Sequence, residues 1–589
     1  MTTLIVLLGV GIYLALYFTY GRKVERDVVK ASDAQNPPSA RLFDGIDYVP
    51  ARREVLIGHH FASIAGAAPI VGPAVAMVWG WLPGLLWVWF GNIFIGAIHD
   101  YLALMSSVRY DGKSIQFVAR DLLGRRTGNS FYVIVFILLV LVVAAFAAIV
   151  GGMFVRSGET ASAYIFKIIS ALILGVLLYR SKMNFGLASA IGVLMLIGAI
   201  WLGSIYPVAA SYNTWMVVFF FYIIIASALP VNVLLQPRDY LNSFLLYAGL
   251  LLGLVAAVFS LRAFEIPMFS GFSPILMSGK ATPFWPAITL VIACGALSGF
   301  HALVASGTTS KQLKKETDGL PIGMGSMLLE GFLSTVVIVA IAGFGYTALR
   351  NAAAGASVPF ALTMENWATA FTSTTGAAKL GGANLFVQSY TDMVASTWLS
   401  YISPVFIKII AGMWVASFAM TTLDTANRLG RYTLTELVAP LQQSAPAVYN
   451  VIANRWVASL IPAALGIYLA WSGQWLVIWG AFGAANQLIA SVALLTAAAY
   501  VAKRLQSRFS AVALVPALLL WVTVTAGTLW MLAVVMPASI ASKPVPGWTV
   551  AVMLAIMLVL NFVFIFDFSR SYWGKAPRPS APPVQAAKA

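Results

Sequence analysis

Hydrophobic positions run along this chain in long, nearly unbroken blocks. Neither the 3.6-residue period of an amphipathic helix nor the two-residue period of a half-buried strand dominates. A helix needs about 17–25 mostly apolar residues to cross a bilayer. Blocks of that length fall near 2–20, 58–79, 84–107, 131–153, 161–179, 184–205, 213–232, 241–261, 284–305, 325–348, 401–421, 455–472, 475–500, 511–536 and 547–568. The pattern predicts an all-α polytopic membrane protein with about fifteen transmembrane helices.

Composition agrees. Apolar residues make up 60% of the 589 and charged residues 10%, against about 25% charged in a soluble domain. Intrinsic disorder is excluded, because its signature is low hydrophobicity. The net charge of +16 is spread among apolar blocks, so the expected macromolecular surroundings are a lipid bilayer and no nucleic acid. Cys294 is the single cysteine, which excludes an intrachain disulfide and an all-cysteine metal site.

Basic residues orient the spans. With the N-terminus outside, 28 of the 36 Lys and Arg fall in loops assigned to the cytoplasm, 6 fall in outside loops, and Lys167 and Lys408 lie within spans. This is the positive-inside bias, and it places the C-terminus in the cytoplasm. Residues 4–20 lack a positive flank before them and are followed by Arg22, Lys23 and Arg26, so they are expected to be a first helix and no cleaved signal. The organisation expected is an extra helix at 1–20, a cytoplasmic loop at 21–57, a core at 58–421, a cytoplasmic loop with four further helices at 422–568, and a disordered tail at 569–589. An external segment at 349–400 would form a cap or short interfacial helices.

Two blocks contain helix breakers. Residues 62–74 read A-S-I-A-G-A-A-P-I-V-G-P-A, and 226–232 read A-S-A-L-P-V-N. Proline removes a backbone donor and clashes with the preceding turn. Inside hydrocarbon such a break persists only where it faces protein or water. The breaks lie in the second and seventh spans, which run in opposite directions. Broken helices in corresponding positions of inverted five-helix units mark one class of secondary transporter. Spans 2–11 would then form a 5+5 core of the LeuT type. Substrate would lie between the breaks, beside Ala65, Gly66, Pro69, Gly72, Ser227, Pro230 and Asn232. Kinked structural helices are the plainer reading.

All four histidines lie in or at spans. His59 and His60 open the second, His99 precedes Asp100 in the third, and His301 lies in the ninth, ahead of Ser306, Thr308, Thr309 and Ser310. Asp424 and Asn427 follow the eleventh. Ionisable groups inside a membrane are costly and commonly line pathways or relays, and histidine is a natural proton carrier. His59, His60, His99, Asp100, His301, Ser306, Thr308, Thr309 and Asp424 are therefore the candidates for ion coupling, to H⁺ or, through the hydroxyls, Na⁺. A divalent metal on the histidines and Asp100 is an alternative, though adjacent helical residues point about 100° apart. No metal or cofactor is assigned. Glu330 is expected to pair with a lysine of the preceding loop. Lys167 and Lys408 are expected to snorkel or pair, either being a candidate anion ligand. Walker, zincin, serine-hydrolase, voltage-sensor and potassium-filter motifs are absent from the sequence, and no enzymatic activity is expected.

Four long motifs carry a family resemblance: G-H-H-F-A-S-I-A-G-A-A-P-I-V-G-P-A (58–74), I-H-D-Y (98–101), C-G-A-L-S-G-F-H-A-L-V-A-S-G-T-T-S-K (294–311) and T-L-D-T-A-N-R-L-G-R-Y (422–432). The chain resembles the carbon starvation protein A family from about residue 45 to about residue 500. The resemblance implies a bacterial inner-membrane transporter of peptides or, as in some members, of pyruvate with protons. It also implies use when preferred carbon runs out, and a LeuT-type fold. The expected function is secondary import of a pyruvate-like carboxylate or a short peptide. A nutrient sensor without transport is the alternative, and a channel is a further one.

Overall fold

The structure is a computed structural model that describes residues 1–44, 47–179, 181, 183–229, 233–354, 361–363, 366–368 and 382–574. It is helical throughout; one isolated β-bridge, Ile275 to Ala281, is the only sheet-like pairing among the described residues. The helices are α1 (Thr2–Val29), α2 (Arg53–Ile64), α3 (Ala68–Trp79), α4 (Trp81–Arg109), α5 (Ile115–Leu123), α6 (Arg125–Arg156), α7 (Gly158–Leu178), α8 (Phe185–Ile205), α9 (Tyr212–Ala228), α10 (Leu235–Phe259), α11 (Phe284–Val291), α12 (Gly299–Gly307), α13 (Glu316–Ala354), α14 (Ala383–Ala395), α15 (Pro404–Leu437), α16 (Pro446–Ala453), α17 (Arg455–Trp471), α18 (Trp475–Lys503), α19 (Ala511–Ser542) and α20 (Pro544–Trp573).

Every apolar block of the sequence finds helix, but fewer than fifteen are single spanning rods. Among the described residues eleven helices are long and apolar enough to cross a membrane, or up to thirteen if each of two bent pairs is one span. The bent pairs are α2 with α3, at 48°, and α16 with α17, at 69°. The ninth block is split into α11 and α12.

The expected boundaries shift. α1 continues to Val29, α15 runs past 421 to Leu437, and α20 reaches Trp573 through the start of the expected tail; residues 575–589 lie outside the described residues. Within 349–400 the chain does form a helix, α14. It is packed into the bundle by Leu385, Phe386 and Tyr390, all buried.

α6, α13 and α18 are the most completely enclosed spans, and α1, α8 and α20 among the least. The loops holding most basic residues gather on one face. Ala51 N donates to Gln312 O at 2.9 Å. Arg109 pairs with Glu316 at 2.9 Å and Arg504 with Asp121 at 3.0 Å. The opposite face is tied by the 262–282 connection, where Trp79 Nε1 donates to Thr282 O at 3.1 Å.

Candidate functional site

The first break is as the sequence predicts. α2 ends at Ile64, the chain turns through Ala65–Ala67, and α3 starts with Pro69 in its first turn, where a missing N–H costs nothing. No acceptor among the described residues takes the N–H of Ala67 or Ala68. Ala65, Gly66, Pro69 and Gly72 are all buried here.

Its partner is a second break that the sequence reading missed. Between α11 and α12, Ile292–Ser298 is unwound in the middle of the ninth block. The segment I-A-C-G-A-L-S carries no proline; the signal was Gly295 and Ser298 in an otherwise apolar run. Backbone of this kind at membrane depth requires protein partners, and side chains supply several. Asn92 Nδ2 donates to Gly295 O at 2.7 Å. Trp479 Nε1 donates to Val291 O at 2.9 Å, and Gln487 Nε2 to Leu297 O at 3.2 Å. Asn486 donates to Ala293 O and accepts Phe300 N at 3.0 Å. The two breaks touch. A Cβ on Gly72 would lie 2.7 Å from Val291 O, and Ser334 Oγ donates to Pro69 O at 2.8 Å while packed against Gly295.

The described residues of the second expected break, 226–229, are bonded to Asn427 and Arg428 of α15. α9 ends at Ala228 and α10 begins at Leu235, so the break is the connection between two helices. Pro230 and Asn232 lie outside the described residues. Ser227 is buried, donates to Ile224 O at 3.1 Å and accepts Asn427 Nδ2 at 2.9 Å. It caps and ties helices.

Against the second break stands a row of buried ionisable groups. His99 Nδ1 and Asp100 Oδ1 are 2.7 Å apart, and Asp100 Oδ2 and His301 Nδ1 are 2.9 Å apart. His301 Nε2 lies 3.3 Å from Glu330 Oε2 and 3.4 Å from Cys294 Sγ. Glu330 Oε1 accepts the N–H of Gly295 at 3.0 Å. The four members of the row are at most 1% exposed. Glu330 therefore does not pair with a loop lysine; its helix phase turns it into the bundle.

The row has a definite proton logic. An ionised Asp100 requires Nδ1–H on both imidazoles. His301 Nε2 then faces two groups able to hold a proton, Cys294 Sγ at 3.4 Å and Glu330 Oε2 at 3.3 Å, the second close but not aligned as a hydrogen bond. Cys294, His301 and Glu330 also offer donor atoms within 4.8 Å of one another. That set can hold a small divalent cation, with Asp100 orienting the histidine as carboxylates do around metal-bound imidazoles.

The remaining candidates divide. His60 Nδ1 joins Thr309 Oγ1 at 2.8 Å, and its Nε2 has no partner among the described residues. Ser306 Oγ donates to Ala302 O and accepts Ile115 N at 3.0 Å. Ser310 Oγ accepts from Ser107 at 2.9 Å. Thr308 is exposed and bonds its own helix. These hydroxyls tie α12 to its neighbours and do not converge as a cation cage. His59 is exposed, apart from the buried row.

Asp424 belongs to a separate buried cluster. It pairs with Arg238, which also donates to Tyr222 at 2.8 Å and to Asp239 at 3.0 Å. Lys167 does not snorkel. Its ammonium is fully buried, donating to Asn242 at 2.8 Å and Ser417 at 2.6 Å.

The chain is similar to known proteins over nearly its whole length. The family description Carbon starvation protein CstA matches residues 1–527. Peptide transporter CstA of Bacillus subtilis (strain 168) is 33% identical over 95% of each chain. Peptide transporter CstA of Escherichia coli (strain K12) is 32% identical over 89% of this chain and 80% of the relative. Pyruvate/proton symporter BtsT of the same strain is 29% identical over 88% and 80%. Among solved structures, MhsT in complex with L-phenylalanine aligns at a TM-score of 0.40 and 12% identity, over 88% of this chain and 99% of that one. Motifs, length and membrane-spanning architecture agree, and this chain belongs to the carbon starvation protein CstA family.

Proposed function

We propose that the chain is a proton-coupled secondary transporter importing a small carboxylate or a short peptide across the bacterial inner membrane, with its N-terminus outside. A role when preferred carbon is scarce follows from the family. One observation carries the reading: the row His99–Asp100–His301–Glu330 is hydrogen-bonded, through Glu330, to the unwound backbone at Gly295. A proton moving between His301 and Glu330 changes the charge facing that backbone. The backbone touches the first break, so protonation and the shape of the space between the two breaks are physically linked.

Substrate recognition follows from α3. The N–H groups of Ala67 and Ala68 stand at a helix N-terminus, where backbone donors and the helix dipole favour a negative group. A carboxylate terminus, of an organic acid or of a peptide, suits that position. Two broken helices in contact are also the arrangement that inverted-repeat transporters build around a midplane site; here the discontinuous members are α2–α3 and α11–α12. The sensor alternative finds no favouring feature among the described residues.

The test is uptake of labelled pyruvate and of labelled alanyl-alanine into proteoliposomes, with and without an inward proton gradient, each with the other as competitor. Gradient-driven accumulation of either, lost in His301→Gln, supports the reading. Accumulation that is indifferent to the gradient overturns the coupling.

A further inference from the structure

On the face opposite the basic loops, a cavity of about 440 Å³ opens between the ends of α6, α9, α14 and α18. Its wall includes Ile149, Met153, Tyr212 and Trp475, with Arg156 and Asn384 as its polar members. A smaller recess adjoins it, sharing Arg156 and Asn384 and adding Lys408. The floor reaches the first break: a Cβ on Gly382 would lie 3.2 Å from the Trp475 ring and 3.7 Å from Val71 of α3. Beneath, Phe146 packs against both Trp479 and Phe482 and comes up to Gly66.

The charges here are unbalanced. Arg156 ends α6 and Lys408 lies in the second turn of α15. Neither has a hydrogen bond or ion pair with a described residue. The neighbouring acid, Glu159, accepts the Ser157 hydroxyl at 3.0 Å. A basic residue at a helix C-terminus is ordinary, and long basic chains near a membrane face commonly snorkel. Those habits do not account for two cations from different helices turned into one recess. Like charges there repel unless an anion lies between them.

We propose that this cavity captures the carboxylate of the incoming solute. Arg156 and Lys408 are the charge partners, and the apolar wall takes the rest of the molecule. Guanidinium matches carboxylate through paired N–H donors, and cavities of about 300–1,000 Å³ are the usual size for small ligands. The proposal rests on the transport reading for the identity of the ligand. It assigns a site distinct from the space between the breaks, separated from it by the Phe146 ring.

The test does not require transport. Gly152 lines the cavity, and a Cβ there meets nothing within 4 Å, so Gly152→Cys places a thiol in the site. The native Cys294 is buried. The variant, in phosphatidylcholine nanodiscs, is reacted with anionic sulfonatoethyl and with cationic trimethylammonioethyl methanethiosulfonate. The anionic reagent should react faster by about tenfold, and pyruvate or alanyl-alanine should slow it. Both effects should vanish when Arg156→Gln and Lys408→Gln are added. Equal rates for the two reagents overturn the proposal. So does protection by phosphatidylglycerol in the disc with none by either solute, which would make the site a lipid-headgroup contact. Ala148→Cys, also in the lining, gives the same measurement if Gly152→Cys fails to fold. Absence of wild-type uptake in proteoliposomes would sink the transport reading and leave this rate comparison standing.

Discussion

Glu330 holds the backbone of Gly295: its carboxylate accepts that N–H at 3.0 Å, in the middle of an unwound segment. A titratable side chain thus grips the part of the chain that has no helix of its own. Glu330→Gln retains shape but removes the exchangeable proton. Gradient-driven accumulation in proteoliposomes should fall at least about tenfold, the usual scale for losing a proton-transfer group, while exchange of labelled for unlabelled solute at equal pH persists. Loss of both would mean that Glu330 only supports the fold.

Asp100 bridges two imidazoles and fixes their tautomers. Asp100→Asn should shift or flatten the dependence of uptake on external pH without changing the amount of folded protein. Wild-type uptake should rise as external pH falls, because protonation loads the row. A pH profile unchanged in Asp100→Asn would remove the row from the coupling path.

Gly295 has φ of +82°, and an added Cβ would run into Ser334. Gly295→Ala combines backbone strain with a clash and should cost about 1–3 kcal/mol or more, read as a lower Tm in detergent. Ser334→Ala relieves the clash but not the φ, so the double variant should recover only part of the loss. Gly72→Leu should be more severe for transport, since its side chain would enter the contact between the two breaks.

Arg238 and Asp424 form a buried ion pair beneath Tyr222. Removing one partner leaves a charge without compensation, at a cost of about 3–5 kcal/mol. Asp424→Asn should therefore depress Tm strongly. Arg238→Met with Asp424→Leu should be milder than Asp424→Asn alone. Equal loss in both would place the energy in the neighbouring hydrogen bonds.

Much of this was legible in the sequence, for identifiable reasons. Apolar block length set the helices because bilayer thickness sets block length. The break at 62–74 was visible because Gly66, Pro69 and Pro73 interrupt it. The different facing of His59, exposed, and His60, buried, agrees with the angle of about 100° between adjacent helical residues. The second break escaped because proline was taken as its marker. The break between α11 and α12 carries no proline and relies instead on Gly295, Ser298 and side chains supplied from α4, α13 and α18. Such partners leave no local trace. Glu330 was misassigned for a related reason: in a uniformly apolar helix, periodicity does not define which face is inward.

The dependence of that break on α18 has a consequence for biogenesis. Trp479, Asn486 and Gln487 satisfy carbonyls of residues 291–297, and glycines at 299 and 483 allow the close approach of the helices involved. A ribosome has to add nearly two hundred residues after the unwound segment emerges before these donors exist. In that interval the segment's carbonyls lack their final partners and cannot settle stably in lipid. Maturation of this break must wait for α18 to insert, and chains truncated ahead of Trp475 are expected to be recognised as unfinished and degraded.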